Sequence, residues 1–285
     1  MLDRIEGKRA VIEALRSGVP IAKVLLADNV QRDSLIKDIL RKAEQRDIDV
    51  DLVPRRKLDE MSASSSHDRR KDRVAAGTKG AGKSAKTQAP NDDRKDAHQG
   101  IIALAEPFRY ASVSEIISRS DADFEEHQCS LVVVCDHITD AGNLGAIIRS
   151  AESVGAAGLI IANKRAAQVG PVTYKTSAGA VSHLAIAQVA NIANTLEVLK
   201  DKGFWVAGAT EHAEECIWDT NLEGRIAIVM GNEGDGISRL VLEHCDLAMS
   251  IPQMGEISSL NVAQSSTVCM YEWLRQNRAG FESEA

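Results

Sequence analysis

The chain has 285 residues, of which 44% are hydrophobic and 26% charged. That length suits about two domains, and the composition excludes wholesale disorder and a collagen-like repeat. The formal net charge of -7 argues against a protein that simply coats nucleic acid, and no run of about 18 apolar residues predicts a membrane span.

Met1 to Ala10 mixes Asp3, Arg4, Glu6, Lys8 and Arg9 and has no apolar core segment, so a secretory signal is not expected. A cytoplasmic chain is the resulting expectation. Residues 1–61 read as a small α/β unit. A short helical pattern at Ala10–Leu15 follows Gly7, and Ala22–Ala27 is a strand candidate. Ser34–Arg46 is an amphipathic helix, with Leu35, Ile36, Ile39, Leu40 and Ala43 at helical spacing. Val50–Val53 is another short strand. Sixty residues bury too little surface alone, so a completing strand is needed. His98–Leu104 is the candidate, the domain being read as 1–61 plus 98–106.

Residues 62–97 differ. Val74 is the only residue there drawn from Ile, Leu, Val, Met, Phe, Trp and Tyr. Such a segment cannot offset its ordering entropy by burial, and it reads as a flexible basic insertion. Gly77 to Ser84 literally matches the phosphate-cradling pattern GxxxxGK[ST]. That loop works only between a buried strand and a helix N-terminus, and neither flanks it here. Residues 107–129 read as a linker.

Residues 130–285 carry a regular α/β alternation. Ser130–Cys135 is a continuous apolar run, as in a strand buried on both faces. A helix follows at Asn143–Val154, then strands at Gly158–Ala162, Leu184–Val189, Trp205–Ala209, Ile226–Met230 and Leu247–Ile251. Helices are expected at Asn191–Lys202 and Asn261–Arg278. The alternation predicts a parallel sheet with helices on both faces and ligands at the carboxyl ends of its strands.

Three loops at those ends stand out. The first runs from Asp136 through Asn143 and Gly145, leading to Arg149. The second is Gly231-Asn-Glu233-Gly-Asp-Gly236. The third runs from Ile251 to Asn261. Asn143 suits either a helix cap or a ligand contact. Arg149 is either a snorkelling surface residue or an anion binder. The glycine-rich second loop is either a plain turn or a close backbone approach to a ligand. Ser258 or Ser259 suits a cap for the last helix. His137 and His183 read as surface or packing residues, and Trp205 and Trp273 as core. The five cysteines form no CxxC pair and no zinc spacing, so they read as small buried hydrophobes, with no metal site expected.

Taken together, these loops resemble the three sequence motifs of the SpoU/TrmH family of RNA ribose 2′-O-methyltransferases, within the SPOUT class. The matching stretches are DHITDAGNLGAIIRSAESVGA, IVMGNEGDGIS and IPQMGEISSLNVAQSS. The front third resembles the family's RNA-substrate-binding domain, through Gly7 to Leu15 and His98 to Ile102. The resemblance implies an α/β fold: a trefoil-knotted, parallel-sheet methyltransferase domain preceded by a small α/β RNA-binding domain. It implies S-adenosylmethionine as cofactor, held by Thr210, Gly231, Ile251 and Leu260, and a homodimer. It also implies catalytic roles for Asn143, Arg149, Glu233, Ser259 and Asn261. The two-domain layout is most similar to members acting on a guanosine ribose of 23S ribosomal RNA, free or in a ribosomal precursor. A transfer RNA ribose is the nearest alternative substrate, and a catalytically silent RNA-binding assembly factor is the alternative from another class. The insertion at 62–97 departs from the family pattern.

Charge is unevenly distributed. Residues 99–285 hold 12 Lys and Arg against 24 Asp and Glu, whereas residues 62–98 hold 9 against 5. The front third is therefore expected to deliver RNA, through Arg9, Arg55, Arg56, Lys57 and the insertion. His98 suits either an RNA contact or the start of a strand. Cationic contacts to phosphate set the salt dependence of RNA binding. Deleting residues 62–97 should therefore flatten a plot of log affinity against log salt, measured on an RNA transcript; an unchanged slope would remove the insertion from RNA handling.

Overall fold

The computed structural model describes residues 2–62, 98–256 and 259–281. The chain divides into two units, Met1–Pro107 and Phe108–Ala285. The GxxxxGK[ST] match at 77–84 lies outside the described residues.

The first unit is a four-stranded sheet with helices. In chain order it holds β1 (Asp3–Glu6), α1 (Lys8–Arg16), β2 (Ile21–Ala27), α2 (Ser34–Gln45), β3 (Val50–Val53), a helix over 55–62 (α3) and β4 (Ile101–Ala105). The sheet order is β1-β4-β2-β3. The expected completing strand is β4, which pairs antiparallel with both β1 and β2. Among the described residues it is therefore the strand through which β1 joins the sheet. Val11, Ile12 and Leu15 of α1 and Ile36 and Ile39 of α2 form apolar faces at helical spacing, and all are buried. Asp33 caps α2 by accepting a hydrogen bond from the Ile36 amide at 2.9 Å.

The second unit is built on six parallel strands. It contains α4 (Val113–His127), β5 (Ser130–Cys135), α5 (Ala141–Ser153), β6 (Gly158–Ala162), α6 (Pro171–Thr176), β7 (Ile186–Val189), α7 (Ile192–Lys200), β8 (Trp205–Ala209), β9 (Arg225–Met230), α8 (Arg239–Leu242), β10 (Leu247–Met249) and α9 (Val262–Phe281). The order is β10-β8-β9-β5-β6-β7, with every pairing parallel. The expected parallel α/β sheet is present. Each residue of β5 is buried, as its unbroken apolar run requires for a central strand.

Residues 107–129 do not form the expected linker. Most of that stretch is α4, whose Ile116 and Ile117 join the sheet's core. Its apolar stripe is narrow, so the pattern gave little warning. A polar clasp adds to it: Arg225 of β9 lies over the rings of Phe124 and Phe204, at 5.3 and 4.7 Å, and pairs with Asp121 at 2.5 Å. Ser112 and Glu115 form a capping box at the helix start.

Trp273 is fully buried, as expected, but Trp205 is 60% exposed. It opens β8, and β10 begins pairing with that strand only at Ala207, which leaves the Trp205 flank uncovered.

Gly145 brings α5 and α6 together. A Cβ there would stand 1.9 Å from Thr176 Oγ1 and 2.8 Å from the Thr173 carbonyl oxygen. Gly145→Ala should therefore force the helices apart and lower stability by about 1–3 kcal/mol, read from urea unfolding midpoints at constant slope.

Candidate functional site

The β5–β9 register sets the site. Cys135 pairs with Met230, so Asp136 and Gly231 leave the sheet side by side. Asp136 is 1% exposed. Its Oδ2 accepts from the Ser238 amide at 2.7 Å, and its Oδ1 lies 2.5 Å from His137 Nδ1. One buried carboxylate thus ties the far end of the second loop, at Ser238, to the first loop and also engages the His137 ring there.

The second loop is closed by its own backbone. Asn232 and Gly236 exchange two amide–carbonyl hydrogen bonds, at 2.9 and 3.0 Å. The Asn232 side chain donates to the His137 carbonyl at 2.7 Å and accepts from the Gly234 amide at 2.8 Å. Gly231 is required sterically, because a Cβ would fall 2.1 Å from the Gly236 carbonyl carbon.

Asp140, not Asn143, caps α5, accepting from the Asn143 amide at 2.7 Å. The Asn143 side chain is thereby released. Asn261, rather than Ser259, takes the capping role at the start of α9, accepting from the Ala263 amide at 2.9 Å; Ser258 lies outside the described residues. That bond fixes which end of the Asn261 amide donates. Its Nδ2 donates to Asn143 Oδ1 at 3.1 Å, and Asn143 Nδ2 donates to Glu233 Oε1 at 2.8 Å. Three expected site residues from three separate loops form one directed chain.

Beside this chain lies a cavity of about 490 Å³. Thr210, Gly231, Ile251 and Leu260 all line it, as do Glu233, Ser259 and Asn261. Met230, Met249 and Val262 add apolar wall, and Glu211 and Asp235 add carboxylates. Among the described residues, neither Lys nor Arg lines it. The volume falls in the range of small-molecule sites. The described residues contain no cluster of His, Cys, Asp and Glu suited to a metal ion.

Arg149 stands apart. It lies six residues beyond Asn143, which turns it about 120° around α5. It is exposed, and among the described residues its guanidinium makes no hydrogen bond or ion pair. In the first unit, Arg9, Arg56 and Lys57 are exposed and Arg55 is half-buried. Arg56 pairs with Glu60 at 2.9 Å. His98 is fully buried, which corrects its reading as an RNA contact. Its Nδ1 accepts from the Gly100 amide at 2.9 Å, so Nε2 donates to Asp59 Oδ1 at 2.9 Å. It anchors the turn into β4.

Sequence reasoning did not single out Asp136 or Asn232 as organisers of the loops. The signal available was a carboxylate placed directly after an all-apolar buried strand.

The described fold is thus that of a two-unit α/β protein with a ligand cavity at the carboxyl edge of a parallel sheet. Comparison with known proteins gives the family. The SpoU rRNA Methylase family profile matches residues 130–271, and the profile for RNA 2′-O ribose methyltransferase substrate binding matches residues 4–68. A putative TrmH family tRNA/rRNA methyltransferase of Staphylococcus aureus (strain MSSA476) is 33% identical over 272 residues, covering 95% of each chain. The crystal structure of the SpoU methyltransferase AviRb from Streptomyces viridochromogenes, in complex with the cofactor AdoMet, is 24% identical. It covers 98% of this chain and 91% of its own, with a TM-score of 0.61, and so shares the fold. The chain belongs to the SpoU/TrmH family of RNA methyltransferases.

All five cysteines are free thiols. Burial pushes Cys135, Cys245 and Cys269 up to about 12 and Cys129 up to about 11. At pH 8 a thiol of pKa 12 is ionised to about one part in ten thousand, and the thiolate is the reactive form. Iodoacetamide at pH 8 should therefore modify at most the half-buried Cys216 in the folded protein and all five after unfolding, as counted by mass. Alkylation of Cys135 in the native protein would contradict this.

Proposed function

We propose that this protein transfers a methyl group from S-adenosylmethionine to a ribose 2′-hydroxyl of a guanosine in 23S ribosomal RNA. The single observation that carries the reading is the directed chain Asn261–Asn143–Glu233 at the mouth of a cavity lined by all four residues expected to hold the cofactor.

The cavity's chemistry fits that cofactor. Met230, Met249, Ile251, Leu260 and Val262 suit a flat purine and an aliphatic chain. Carboxylates without lysine or arginine suit a sulfonium cation. Thr210, Gly231, Ile251 and Leu260 would hold the cofactor, mostly by backbone groups. When bound, it supplies a methyl group already activated on sulfur.

The chain's own residues then have two tasks, alignment and charge. Asn143, oriented from both sides, positions the ribose. Glu233 acts through Asn143, being its acceptor at 2.8 Å, and is a positioning residue. Ser259 and Asn261 complete the rim. Arg149 carries a guanidinium, a fixed cation and hydrogen-bond donor rather than a proton acceptor. It binds RNA phosphate and stabilises negative charge developing on the attacking oxygen. Its exposure, and the absence of an acceptor for it among the described residues, support that role. The 2′-proton leaves by phosphate or water. The knotted path of the second and third loops and a homodimer with the target near its interface belong to the same proposal. The first unit, with Arg9, Arg55, Arg56 and Lys57, delivers RNA.

The test is transfer of labelled methyl to unmodified 23S and transfer RNA, by wild type and Arg149→Ala in parallel. The expected result is an alkali-resistant linkage at one 23S guanosine, reduced about 100-fold or more in the variant. Label on transfer RNA alone would overturn the substrate. Absence of label on both would overturn the enzymatic reading in favour of a silent assembly factor. Arg149→Lys keeps the charge but loses the bidentate fork, and should recover little of the rate.

A further inference from the structure

Charge is sorted across the carboxyl edge of the six-stranded sheet. Residues 210–256, which carry the cavity loops, hold ten carboxylates and only two arginines. Both arginines have carboxylate partners: Arg225 pairs with Asp121 and Arg239 with Glu243. On the other side of β5, residues 153–196 contain no Asp or Glu at all. They contain Lys164, Arg165 and Lys175, all exposed. A stretch of that length without a carboxylate is unexpected in a region where Asp and Glu outnumber Lys and Arg two to one.

Topology puts these cations beside the site. In the sheet order β6 neighbours β5, with Cys135 opposite Ile161, so the loops that follow both strands leave by the same edge. The loop after β6 is stitched to the first loop, because the Ala167 amide donates to the Ile138 carbonyl at 2.7 Å. Gln168 closes it further, donating to the carbonyls of Ala162 and Ala166 at 3.2 and 3.0 Å. The backbone of Arg165 is held in the left-handed region, at φ 53°. Lys175 lies on α6, which the absent side chain of Gly145 admits against α5, two residues from Asn143. Among the described residues, no carboxylate lies within ion-pair distance of Lys164 or Arg165.

We infer that Lys164 and Arg165, with Lys175 and Arg149, form an RNA-phosphate surface on the catalytic unit, gripping the strand that flanks the target ribose. This rests on the proposed function and extends it: the catalytic unit takes part in holding RNA, despite its acidic balance. The segregation has a physical logic. Carboxylates gather where a cationic cofactor would bind, and cations gather where a polyanion must approach the same nucleophile from the other side. Lysine and arginine contacts to phosphate supply sequence-independent affinity and registration.

The test uses the full-length double variant Lys164→Gln/Arg165→Asn, asparagine being chosen because it tolerates left-handed backbone. Affinity for an unmodified 23S transcript is measured across a salt series, with KM for RNA and the dissociation constant for S-adenosylmethionine. Each lost single-strand phosphate contact flattens the log–log salt slope by about 0.7, so a change of about 1.4 is expected. KM for RNA should rise about fivefold or more, and cofactor affinity should not move. Lys164→Gln alone should give about half the slope change and avoids the strained position. Arg239→Gln removes a charge from the acidic side and should leave the slope as it was. Methyl transfer by the wild type with identical slopes and RNA KM in the variants overturns this surface alone. A flattened slope without methyl transfer by the wild type overturns the proposed function and leaves the surface standing.

Discussion

The parallel pairing of β5 with β9, with Cys135 opposite Met230, is the constraint on which the site depends. Two apolar strands end in step, so the residues after them, Asp136 and Gly231, emerge together. The buried Asp136 carboxylate then meets the Ser238 amide and the His137 ring. Burying a carboxylate is costly unless it is well hydrogen-bonded, and these short contacts offset that cost. The same need for partners fixes where the second loop ends, at Ser238. A one-residue slip of β9 would turn its side chains to the opposite face and separate Gly231 from Asp136.

Direction at the site comes from amide chemistry. Backbone N–H groups at helix starts need acceptors, and Asp140 and Asn261 provide them. Because the Ala263 amide claims the Asn261 oxygen, the nitrogen must donate to Asn143. Asn143 in turn must donate to Glu233. Helix capping, a local stability device, thereby orients a side chain from another loop. The adjacent cavity has carboxylates without cations, while the loop beyond β6 has cations without carboxylates. Opposite fields meet at Asn143, a neutral residue suited to handle a sugar hydroxyl.

The sheet strands were legible because buried central strands need long apolar runs. What escaped was carried by sparse or conditional signals. The α4 helix has few apolar residues and gains its place from Arg225 between two phenylalanine rings. Trp205 is a large apolar residue on a strand, yet it falls where β10 has not begun to pair. His98 sits in a basic region but is buried, because the turn into β4 needed a side-chain acceptor for the Gly100 amide. Which of several neighbouring polar residues caps a helix could not be read from composition, since Asp140 and Asn143, or Ser259 and Asn261, are equally good caps in isolation.

The sequence by itself determined the six strands of the second unit, their parallel arrangement and the three loops that matter. Periodicity, apolar runs and turn residues are local properties, and the three motifs are contiguous. Only the tertiary structure decided which residues act together. Asn143, Glu233 and Asn261 are spread over more than a hundred positions and meet because strand order and register bring three loops to one edge. It also divided that edge into an acidic and a basic half, since β6 and β7 lie on one side of β5 and β9, β8 and β10 on the other, which puts residues 153–196 and 210–256 on opposite sides. Long-range pairing is set by the summed burial of whole strands, and no local stretch of sequence contains that sum.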